Sequence, residues 1–64
     1  MTTEQWQKAK EHLDAVHQAF VDLRQREGAI VAMALPLIVE PLVRRYYANE
    51  RTDALYGEIM ELKL

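Results

Sequence analysis

The chain contains no cysteine. That excludes a disulfide and, with it, a thiolate metal site. Glycine and proline are scarce, with two of each in 64 residues. So few breakers leave little room for loops, and no glycine-rich nucleotide-binding loop is present. Neither charge sign dominates: eight Lys and Arg stand against ten Asp and Glu, for a net charge of −2. This balance does not supply the basic surface that nucleic-acid binding draws on. The longest apolar run, Ala29 to Val43, is fifteen residues and holds Pro36, Glu40 and Pro41. A membrane-spanning helix needs about 20 apolar residues. The run also lacks the lysine-rich polar face of an interfacial helix, so no membrane partner is expected. The first residues, MTTEQWQKAKEHLDAV, are polar with acids early, and no export signal is expected. Without cysteine, a cytoplasmic setting fits best.

Half of the residues are apolar and 28% are charged, which suits a folded chain. The abundance of Ala, Leu, Glu, Gln and Arg points to helix. We therefore expect an all-α fold, one helical domain over residues 1–64, with no repeats. A chain this short buries only a small core. Below about 70–80 residues, proteins usually add disulfides, a metal or a partner chain. Here a partner chain is the device that remains.

The clearest local signal is the stripe Trp6, Ala9, Leu13, Val16, Phe20, Leu23. Its spacings of 3, 4, 3, 4, 3 give an amphipathic helix packing along one narrow seam. Thr2 with Gln5 has capping-box spacing, and Glu4 suits a helix N-terminus. Arg24, Arg26 and Gly28 read as a helix end. Against that, Ala29 to Ala34 are good helix formers, and one interior glycine costs only about 1 kcal/mol. We read one helix from about Thr3 to about Ala34, with the chain turning at Leu35–Pro36 because the residue before proline disfavours helix. A helix covering Leu42 to Ala48 follows. Another opens at Thr52–Asp53 and carries Leu55, Ile59 and Leu62 on one face. The expected arrangement is a helical hairpin: a long first helix, then one or two shorter ones.

Ala29 to Val43 is apolar nearly all round. A helix of that kind is normally buried on all sides, which one short chain cannot achieve. A homodimer is expected, four-helix-like and closed by a two-fold axis. Its expected core is Leu13, Val16, Phe20, Leu23, Ile30, Met33, Leu37, Ile38 and Leu42.

The polar constellations are weak. His12 and His17 lie five apart, whereas helical metal pairs use three or four. Asp14 and His17 have a suitable spacing but lack further inward carboxylates. Both histidines are read as belonging to a solvated face. Glu40 is read as a helix cap or a partner for Arg44. Trp6 is read as closing one end of the core, and Met33 and Met60 as gap-fillers. No nucleophile–base pair is present, so neither an enzyme nor a cofactor or metal is expected. The densest feature is RRYYANER, Arg44 to Arg51. Arginine and tyrosine are enriched at the energetic centres of protein interfaces. Arg44, Arg45, Tyr46, Tyr47, Arg51 and Tyr56 are therefore the candidate partner-binding residues.

The function expected from these features is non-enzymatic binding of another protein, as inhibitor, adaptor or modulator. In size and style the chain resembles small accessory proteins encoded by phages and mobile elements. The alternative is a helical dimer that binds RNA or DNA through Arg44, Arg45 and Arg51. It resembles in outline the plasmid-encoded four-helix RNA-binding dimers.

Overall fold

The computed structural model describes residues 1–63, except for the side chain of residue 31. The described residues are helical, without strands. Helix α1 spans Thr3–Glu27. Helix α2 (Ala29–Ala34), a π-helical turn (Leu35–Val39) and α3 (Glu40–Tyr47) follow one another with no break, so they form a single second rod. Helix α4 (Asp53–Met60) is the third.

α1 begins as its sequence dictates. The Thr2 hydroxyl accepts from the Gln5 backbone N–H at 3.1 Å, and the Gln5 side chain accepts from the Thr2 N–H at 2.9 Å. Two otherwise unpaired donors are thereby satisfied reciprocally. On its outer face Lys8 pairs with Glu4 at 3.5 Å and Lys10 with Asp14 at 2.8 Å, each one turn apart. Such exposed pairs, one turn apart and screened by water, stabilise the helix only slightly. The inner stripe is buried at Ala9, Leu13 and Val16 and half-buried at Trp6, Phe20 and Leu23. Twenty-five residues at 1.5 Å each make a rod about 37 Å long, which matches the longest dimension of the molecule, 37 Å.

The helix does not run on to Ala34, and the chain does not turn at Leu35–Pro36. Both expectations are corrected at Gly28, where φ is 87° and ψ is −145°. Only glycine adopts this conformation without strain. The Gly28 N–H still reaches Arg24 O at 3.3 Å, and its own carbonyl receives Ala32 N–H at 3.1 Å, so one residue ends one helix and starts the next. The chain reverses there, and the second rod returns along α1. Leu42 and Tyr46 join Ala9 and Leu13 in one buried cluster, while Leu35 and Val39 join Val16 in another.

Both prolines sit inside the second rod. An α-helical ladder would drive the Pro41 ring into the carbonyl of Leu37. The π turn avoids this by widening the helix: Glu40 N–H bonds to Leu35 O, five residues back. Burial of Leu35 and Val39, at 2% and 0% exposure, outweighs the local preference of Leu35 for extended backbone.

After α3, Asn49 takes a positive φ of 66°, which its short polar side chain tolerates. The Thr52 hydroxyl caps α4 by accepting from Leu55 N–H at 3.1 Å. Leu55 and Ile59 are fully buried against Ala9, Leu13, Leu42 and Tyr46. α4 has only eight residues and runs alongside the N-terminal half of α1. The half of the α1/α2 pair nearer Gly28 has no third helix over it.

The two glycines should respond oppositely to alanine. A Cβ meets nothing within 4 Å at either position, so backbone conformation alone decides. Gly28→Ala should lose about 1–3 kcal/mol. Gly57→Ala, inside α4, should gain about 0.5–1 kcal/mol. Denaturant midpoints with unchanged slopes would show this, and a neutral Gly28→Ala would contradict the glycine-only corner.

Candidate functional site

The RRYYANER segment folds into a seam that joins α3, α4 and the start of α1. Arg45 lies between two carboxylates: its Nε is 3.1 Å from each Glu50 oxygen, and its Nη1 is 2.6 Å from Glu58. These charge-assisted bonds hold the Glu50 carboxyl below its usual range, chiefly through the Arg45 hydrogen bond. They raise the already basic guanidinium further. Tyr46 is buried. Its ring stacks on Trp6 at 3.8 Å between centroids, and its hydroxyl donates to Trp6 O at 2.9 Å. Burial first, then the neighbouring Tyr47, pushes the Tyr46 phenol up. The Arg51 guanidinium lies over the Trp6 ring at 4.6 Å. It must use the face opposite Tyr46, since the two cannot share one. Tyr47 is exposed; its hydroxyl donates to Asp14 at 3.3 Å. Tyr56 is half-buried against the cluster that holds Ala9, Leu13, Leu55 and Ile59.

Of the six candidate partner-binding residues, then, Arg44, Tyr47 and Arg51 are exposed, while Arg45, Tyr46 and Tyr56 are at least partly buried within the chain. Among the described residues no ion pair joins Glu40 to Arg44. His12 does not belong to a solvated face: it is half-buried, and its Nε2 lies 2.7 Å from Leu62 O. A carbonyl only accepts, so the ring donates, and it tethers the chain beyond α4 to α1. No cluster of three or more metal-binding side chains occurs among the described residues.

The nine candidate dimer-core residues divide sharply. Leu13, Val16 and Leu42 are buried in the chain's own core, and Phe20 and Leu23 are half-buried. Ile30, Met33, Leu37 and Ile38 are 86%, 61%, 68% and 52% exposed. Together these four expose on the order of 500 Å² of apolar surface, near the upper end for a monomeric protein. At one end of this face, between α3 and α4, is a groove of about 470 Å³. Its apolar wall is Leu37, Ile38, Pro41, Leu42 and Leu62; Arg45, Glu58 and Glu61 form its polar lip.

Sequence reasoning missed three of these features: Glu58 as the second partner of Arg45, the His12–Leu62 tether, and the contribution of α4 to the groove. The first two join residues 13 and 50 positions apart, beyond the reach of any local pattern. The chain matches no known family, curated protein or solved structure. No helix among the described residues is long and apolar enough to cross a membrane.

The Arg45–Glu50 contact makes acid stability testable. A depressed carboxyl pKa contributes stability above its unfolded value, about 4.3, and that stability is lost as pH falls through the folded value. Wild-type stability should therefore drop as pH falls below about 4.3. In Arg45→Met that part of the slope should flatten. Melting temperatures between pH 5 and pH 3 would show it, and equal slopes would mean the pair is unlinked to folding.

Proposed function

We propose that the protein is a small, non-enzymatic helical binding module that pairs with itself and acts on another protein as inhibitor, adaptor or modulator. The observation that carries this reading is the uncovered face of Ile30, Met33, Leu37 and Ile38. An apolar patch near the upper end of what a monomer exposes often marks a surface that something covers. Two such faces would bury about 1,000 Å² through these side chains alone, near the lower bound for a specific interface. Pairing would display the exposed Arg44 and Tyr47 twice, a form suited to engaging a second protein. A cytoplasmic setting belongs to the same proposal and rests on the absence of cysteine. The nucleic-acid reading gains no comparable support, because Arg45 is engaged by two carboxylates and Arg51 by Trp6.

Light scattering on a size-exclusion column, without detergent, tests the pairing. The expected mass is twice the 7.5 kDa of one chain. Met33→Glu should return it to 7.5 kDa with the helical signal retained, since Met33 lies outside both buried clusters. A wild-type chain that stays at the single mass up to millimolar concentration would overturn the pairing. Arg44→Ala and Tyr47→Ala should leave mass and melting temperature unchanged; if a bound protein is found and neither change weakens its binding, the site lies elsewhere.

A further inference from the structure

We propose that the two copies pair end-for-end, each inserting Ile30 into the groove between α3 and α4 of the other, with Arg26 of one copy against Glu61 of the other. The proposal rests on the pairing reading above and specifies its register.

Three observations carry it. The first is shape. The most exposed large apolar side chain, Ile30, stands at one end of the uncovered face, and the groove walled by Ile38 and Leu62 stands at the other. A two-fold axis makes the contact of i with j recur as j with i, so a knob at one end meets a hole at the other twice.

The second is charge. His12, Ala19 and Arg26 are spaced by seven and so share one side of α1. His12 contacts Leu62 O, which identifies this as the side facing α4. Arg26 lies on that side beyond the end of α4, near the Gly28 corner, and is exposed. The lip of the groove carries Glu58 and Glu61 beside the single cation Arg45, so it is acidic by one charge. Glu58 is already held by Arg45; Glu61 is exposed. The exchange that seats Ile30 in the groove carries Arg26 to this lip.

The third is register. The midpoint of Ile30 and Ile38 is Ala34; that of Arg26 and His12, which marks the level of the Glu61 lip through its contact with Leu62, is Ala19. Both alanines are half-buried. Ala19 follows Val16 by three residues and Ala34 precedes Leu35 by one, each toward Gly28 from a pair that shares one buried cluster. One axis passing there serves the apolar pair and the charged pair together, and two small side chains let the copies approach closely.

Reciprocal charge reversal tests the proposal on the full chain. Arg26→Glu alone sets like charges together twice per dimer, and so does Glu61→Arg alone. Each should weaken self-association about tenfold or more, with helicity unchanged because both positions are exposed. In an equimolar mixture of the two variants, every mixed dimer has two complementary contacts. Sedimentation equilibrium should then show near wild-type association. A further variant, Ile30→Asp, should abolish pairing and leave a helical single chain. If wild type pairs but the mixture associates no better than its components, the register is wrong while the pairing reading stands. If wild type does not pair, both fall.

Discussion

A backbone at φ 87° and ψ −145° is open in practice only to glycine, and the chain adopts it at Gly28, between two helices that would otherwise run on as one. Everything buried in this molecule depends on that reversal. It lays the second rod along α1 so that Leu42 and Tyr46 meet Ala9 and Leu13, and Leu35 and Val39 meet Val16. A straight helix through Gly28 would have kept its ladder of hydrogen bonds and buried none of these side chains. Full burial of one large apolar side chain stabilises by about 1.5–3 kcal/mol, so several together outweigh the cost of an interrupted helix.

The same gain from burial explains how two prolines are carried in the second rod. Pro36 and Pro41 remove backbone donors, and each would end a helix in isolation. Here Leu35 and Val39, on either side of Pro36, are among the most buried residues in the chain. The widened turn keeps both on the inner face and makes room for the Pro41 ring. At the other end of the rod the fastening is polar. Arg45 reaches Glu50 across the turn and Glu58 on α4, while the Trp6–Tyr46 stack and Arg51 close the end of the core. A short α4, held by Arg45, by the Met1 ammonium on Asp53, by its Thr52 cap and by two buried side chains, covers half of the long pair and no more.

That shortness creates the candidate site. With α4 ending at Met60, the part of the α1/α2 pair nearer Gly28 is a two-helix layer. Two helices in contact hide one stripe each, whereas Ala29 to Val43 is apolar on more than one side. The excess appears at Ile30, Met33, Leu37 and Ile38. The RRYYANER segment took the opposite course. Its most interface-like residues, Tyr46 and Arg45, are spent within the fold, so what remains outside is Arg44, Tyr47 and Arg51.

Much of this was legible from the amino-acid sequence alone. The capping box at Thr2, the inner stripe from Trp6 to Leu23, the cap at Thr52 and the buried Leu55 and Ile59 all follow from spacing and local chemistry, because helix faces and helix starts are short-range properties. The apolar excess of Ala29 to Val43 was legible too, as a surplus without an address. Only tertiary structure decided where the first helix stops, since Gly28 is acceptable inside a helix and at its end, and the choice turns on side chains 7 to 19 residues away. It likewise decided that Pro36 continues a helix, that His12 holds Leu62, and which large apolar residues of the second rod remain outside, Ile30, Met33, Leu37 and Ile38 among them. Those outcomes depend on which surfaces meet when the chain doubles back, and a pairing between distant residues leaves no local pattern to read.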